Sequence, residues 1–185
     1  MITVAVVLTV LCLVFSPAEG RKTVIDFEKV ENCKGFKGLA VLEGIEIVNL
    51  GLRGTGLNAL VNITGPIPDK IKASVDASKC KSAEDGECEH FVHTNHDFCQ
   101  LLRDKKQFYT PLFDAVTPRP FCPVKKGVFR VSNATMASNE VVSLIKFVPS
   151  YMNIHWRITV KAYPAKSKEV LLCIVITFKL KDLRE

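Results

Sequence analysis

The stretch IHWRITVK (residues 154–161) places Ile154, Trp156, Ile158 and Val160 at every second position, with His155, Arg157, Thr159 and Lys161 between them. Successive side chains of a strand point to opposite faces, so this alternation predicts a strand with one face in a core and the other in water. Half-buried strands of this kind belong to antiparallel sheets. The same rhythm recurs upstream. Leu57, Ala59, Val61 and Ile63 would face inward, with Asn58, Asn62 and Thr64 outward, and Ile71, Ala73, Val75 and Ala77 alternate with Lys70, Lys72, Ser74 and Asp76.

Further strands are predicted at about residues 24–29, 39–50, 127–131 and 169–180, with Gly, Pro and Asn in the gaps. Roughly seven strands without a linker, repeat or low-complexity run predict one all-β domain, an antiparallel β-sandwich. The main exception is HDFCQLLRDKK (residues 96–106), where Phe98, Leu101 and Leu102 share a helical face and Asp97 can serve the first turn; one short helix is expected there. GLRGTG (residues 51–56) matches neither the dinucleotide fingerprint nor the P-loop, and reads as a glycine-rich hairpin turn.

Residues 1–20 run apolar from Ile2 to Phe15 and end in Ala18-Glu19-Gly20, which predicts a secretory signal peptide rather than a membrane span. The expected mature domain is 21–185. Without residues 1–20, six cysteines remain and the formal charge is +7, from 25 basic and 18 acidic residues. An even cysteine count in an oxidising compartment reads as a disulfide framework, and six cysteines allow 15 pairings. The basic balance suits an anionic partner, or simply a solubilising surface. For an exported chain that partner is not nucleic acid but an anionic membrane surface or a sulfated glycan. The sequons at Asn62 and Asn133 agree with export and mark two expected glycosylation sites.

CEHFVHTNHDFC (residues 88–99) holds His90, His93 and His96 between two cysteines. Zinc is one reading. On a helix, however, three-residue steps spiral the rings apart, and on a strand odd spacing sends His93 to the face opposite the other two. A disulfide-held loop without metal is the preferred reading, and the Asp85-Gly86 turn signal can bring Cys80 back to Cys88. VVSLIKFVPSYM (residues 141–152) is too apolar for a half-exposed strand and contains Pro149, which leaves two readings: core packing with an edge, or an apolar loop at the mouth of a cavity. No G-x-S-x-G elbow or other catalytic constellation occurs, so no catalytic residue and no cofactor are assigned.

The ordered segments VENC, KCKSAEDGEC, HDFCQLL, CPVKKGVFRV and LLCIVITFKLKDL resemble the ganglioside activator branch of the lipid-recognition (ML-like) proteins, together with related arthropod chemosensory secreted proteins. The resemblance spans about residues 27–183 and rests on cysteine order and the Cys-Pro-x-Lys-x-Gly segment at 122–127; a further cysteine pair of the activators is missing between Cys99 and Cys122. It implies a β-cup whose two sheets part to hold acyl chains, no catalytic residues, and the pairing Cys33–Cys173, Cys80–Cys88 and Cys99–Cys122. The expected function is that of a secreted, non-enzymatic lipid carrier. Chain contact is expected from Leu144, Ile145, Phe147, Val148, Tyr151, Met152 and Trp156, with Phe108, Leu112 and Phe113 at the rim. The expected partners are a lipid or other hydrophobic small molecule, an anionic membrane surface, and a receptor or lipid-processing enzyme. The address is extracellular, with the lysosome as the alternative. The competing function is a secreted interaction protein whose apolar loop docks a protein partner.

Overall fold

The computed structural model describes residues 22–84 and 86–183. Nine strands lie among them: β1 (Lys22–Asn32), β2 (Ala40–Asn49), β3 (Thr55–Ile63), β4 (Ile71–Cys80), β5 (Cys88–Asp97), β6 (Val116–Thr117), β7 (Gly127–Ala134), β8 (His155–Pro164) and β9 (Leu172–Leu183). They form two antiparallel sheets, β1-β9-β8-β4-β5 and β2-β3-β7-β6. The all-β sandwich expected from alternation is the observed architecture. The predicted signal peptide lies outside the described residues, as does Asp85 of the turn before Cys88.

The seven predicted strands are all present, and the three read from alternation each bury one face. In β3, Leu57, Ala59 and Ile63 are buried, and in β8 the inward positions include Trp156 and Ala162. GLRGTG is the β2–β3 hairpin. Its turn closes through Leu50 N–H donating to the Gly54 carbonyl at 2.8 Å. Gly54 has φ +81°, and a Cβ there would stand 2.4 Å from the Ile25 carbonyl, so that position requires glycine.

Among the described residues three short helices are present where one was expected. The expected helix, α1 (Phe98–Arg103), is capped by Asp97, whose carboxylate accepts from Gln100 N–H at 2.9 Å. Two more are α2 (Thr110–Asp114), with proline in its first turn, and α3 (Ser138–Ile145). VVSLIKFVPSYM is thus neither an edge strand nor a plain loop. Val141, Ile145 and Val148 are buried at helical spacing, and Pro149 follows the helix end, where proline no longer interrupts backbone bonding.

The expected loop at 88–99 is also corrected, because Cys88–Asp97 is the edge strand β5. An edge strand packed on one side has little need of alternation, and its histidines are exposed. The three disulfides join Cys33 to Cys173, Cys80 to Cys88 and Cys99 to Cys122, the pairs that the family resemblance implies.

The sheets are stitched along one side. The Asn32 side chain of β1 donates to the Leu42 carbonyl of β2 at 2.9 Å and accepts from Leu42 N–H at 3.0 Å. Phe27 N–H donates to the Thr55 hydroxyl, and Ala40 N–H to the Leu171 carbonyl. Close backbone approach between the sheets is concentrated here, among β1, β9, β2 and β3. On the opposite side the segment from α1 to β6 links β5 to the β7 sheet, and the Cys99–Cys122 bond ties α1 to the connection between β6 and β7.

Candidate functional site

Register identifies which residues face between the sheets. Val75 lies opposite Val160, and Val160 opposite Ile174, so these three form one inward row across β4, β8 and β9. On the facing sheet Val61 lies opposite Phe129. All five are only half-buried.

Toward one end the next row keeps Ala77 and Ile158 half-buried beside buried Ile176, and only then do buried Trp156 and Phe178 follow. Toward the other end Ala73 and Ala162 are buried, and on the facing sheet Ala59, Val131 and Ile63 are buried around Val61 and Phe129. A filled sandwich buries its central inward rows best. Here the middle of the five-stranded sheet, from the Val160 row through Ala77 and Ile158, is left partly uncovered between the covered row of Trp156 and Phe178 and that of Ala73 and Ala162. Its side chains are hydrocarbon, so they can solvate an apolar chain by dispersion and exclusion of water, and they offer no group for acid–base or nucleophilic chemistry.

The sequence-predicted contact residues fall into three groups. Trp156, Ile145 and Val148 are buried, with Trp156 only 2% exposed, and its indole N–H donates to the Tyr151 carbonyl at 3.3 Å. Tyr151, Met152, Phe108 and Leu112 are half-buried and pack on that same core. Leu144 and Phe147 are exposed, at 53% and 70%. Phe113 stands apart and meets Phe98 and Tyr109 edge-on. Burial and the neighbouring Asp104 carboxylate together hold the Tyr109 phenol above its ordinary pKa.

Phe147 stacks on Phe91 of β5, and Phe91 in turn meets Trp156 edge-on at 5.2 Å. These three rings connect the surface turn after α3 to the buried end of the inward face. Lys79 lies opposite Trp156 in register, its ammonium 5.9 Å from the Phe91 centroid and 3.1 Å from Glu89. A polar group therefore borders the aromatic patch. Sequence reasoning missed Phe91, because β5 reads as polar. It also missed the Val61, Phe129, Val75, Val160 and Ile174 band, whose alternation looks the same whether the space beyond is packed or open.

The histidines are placed differently from the simple strand expectation. A register shift at Phe91 sets His90 opposite Ser78 and His93 opposite Asp76, so these two share the outer face, while His96 lies opposite Ala73 on the inner one. His93 is held by the Asp76 carboxylate through Nδ1 and meets the Asn95 amide through Nε2 at 2.9 Å. Among the described residues no three His, Cys, Asp or Glu side chains are grouped to hold a metal ion.

Both sequons lie on the sheet that carries β3 and β7. The Asn62 amide donates to Glu43 at 3.0 Å, and Asn133 is exposed in a left-handed conformation with φ +51°. Two surface clefts lie at the ends of the sandwich: one of about 270 Å³ beside Arg53 and the start of α3, and one of about 470 Å³ beside Arg103 and Phe121. Among the described residues no helix is long and apolar enough to cross a membrane. Compared with known proteins, the chain matches no protein-family model and no curated protein.

Proposed function

We propose that this protein is a secreted, non-enzymatic carrier that holds the apolar chain of a lipid or similar ligand between its two sheets. The observation that carries the reading is the half-buried inward band of Val75, Val160 and Ile174 facing Val61 and Phe129. An apolar chain seated there would cover that surface and gain about 25 cal/mol per Å² removed from water. Lys79, beside Phe91 and Phe147, is suited to a polar headgroup at the rim.

The cysteine order and the Cys-Pro-x-Lys-x-Gly segment support placing the chain with the ganglioside activator-like, ML-like proteins, and the three disulfides suit an oxidising extracellular destination. Organic extraction and mass spectrometry of the purified protein test the carrier function. One lipid per chain is the expected result, and protein that is lipid-free and takes up none from vesicles contradicts it.

A second reading rests on the exposure of Leu144 and Phe147, which gives α3 and the turn after it an apolar surface that a protein partner could cover. It predicts that these side chains matter for capture of a receptor or a lipid-processing enzyme, with no lipid bound.

A further inference from the structure

Positive charge is segregated in this chain. Residues 103–130 contain seven basic side chains (Arg103, Lys105, Lys106, Arg119, Lys125, Lys126 and Arg130) and two acidic ones, Asp104 and Asp114, a net +5 against +6 for the whole chain. Both carboxylates are engaged: Asp114 pairs with Arg119 at 2.9 Å, and Asp104 accepts from the Tyr109 hydroxyl at 3.3 Å.

The fold gathers the cations at one end. Arg103 at the end of α1, Lys105 and Arg119 line the 470 Å³ cleft together with Phe121. The Cys99–Cys122 bond lies in its wall and fixes the two chain segments to each other. Phe121 is 61% exposed, and the Lys125 ammonium stands 5.9 Å from its ring centroid. Val128, outward on β7, is exposed beyond Lys125 and Lys126.

We propose that this basic cleft and the Phe121 ring form a docking surface for an anionic phospholipid bilayer. The inference rests on the carrier reading only in giving the carrier a membrane to approach. Cations alone would suit any polyanion. The exposed ring among them selects the bilayer, where it can enter the headgroup boundary while Arg and Lys meet phosphate and carboxylate groups. Among the described residues the other exposed aromatic is Phe147, at the opposite end of the sandwich near the start of β8. Docking through Phe121 therefore leaves the Phe147 end free.

Co-sedimentation with phosphatidylcholine vesicles, with and without phosphatidylserine, tests the surface. Each cation near an anionic membrane contributes about fivefold to partitioning. The combined Arg103→Gln, Lys105→Gln and Lys125→Gln variant should lose on the order of 100-fold on the serine-containing vesicles, and wild-type binding should weaken as salt is raised. Phe121→Ser should weaken binding at every salt concentration, whereas Phe147→Ser should leave it unchanged. All the altered side chains are exposed, and unchanged melting temperatures verify folding. Equal binding to both vesicle types, loss on Phe147→Ser alone, or retention by heparin without binding to vesicles overturns the proposal. Lipid content measured on the same preparations separates the two readings: docking without bound lipid removes the carrier alone, and bound lipid without docking removes this surface alone.

Discussion

Phe147 stacks on Phe91 with ring centroids 6.0 Å apart and 28° between the planes, joining the turn after α3 to the edge strand β5. Phe147 keeps 70% of its surface exposed while Phe91 reaches inward to Trp156. The turn is thus anchored in the core by Val148, while Phe147 itself is held by one ring pair and stands at the surface, as a rim side chain would.

Phe147→Ala should cost at most about 1 kcal/mol of stability, the worth of the ring pair. Trp156→Ala should cost about 3–5 kcal/mol, because it empties a buried site. Urea denaturation of the two variants checks the contrast, and an equal loss would make Phe147 part of the core. Phe147→Asp should lower lipid retention more than stability, since the charge stays in water when the site is empty but faces hydrocarbon when it is filled.

Strand alternation made the sheets legible because β3, β4 and β8 each bury one face. It failed at β5, where pairing with β4 alone leaves both faces largely wet, and at α3, where a run of apolar residues hid the helical spacing of Val141, Ile145 and Val148. The candidate site was less legible. Composition drew attention to bulky residues at 144–156, several of which fill the core, whereas the open band uses ordinary strand valines. Whether a valine faces a packed neighbour or a space depends on how far apart the sheets lie, and that is set by the stitching at Asn32 and Leu42 on the far side.

The Cys33–Cys173 bond spans 140 residues and Cys80–Cys88 spans 8. In the chain-entropy model the first constrains the unfolded chain by about 5 kcal/mol and the second by about 2.5 kcal/mol. Cys33→Ser/Cys173→Ser should therefore lower the melting temperature more than Cys80→Ser/Cys88→Ser. It should also lower lipid retention more, since it lies beside the stitched side of the sheets. Calorimetry with lipid analysis checks both, and equal effects would contradict the role given to that seam.

Asn133 presents its side chain from an exposed left-handed position at the register irregularity near the end of β7, and its backbone N–H is held by the Asn58 side chain at 2.8 Å. Protein secreted from eukaryotic cells should lose glycan mass on Asn133→Gln, read by mass spectrometry before and after deglycosylation. An unchanged mass would place that sequon out of use.

Val160→Phe combined with Ile174→Phe adds bulk to neighbouring positions of the inward row. In a packed core such overpacking costs about 1–3 kcal/mol per site. In the half-open band the added rings should occupy the space and leave the melting temperature unchanged or raised.

Native mass spectrometry of wild-type protein and the Val160→Phe/Ile174→Phe variant, each stripped of lipid and then incubated with the same vesicles, tests the carrier most directly. The account predicts one lipid per wild-type chain and none on the folded variant. Equal occupancy of the two, or no lipid on the wild type, would contradict a ligand seated between the sheets.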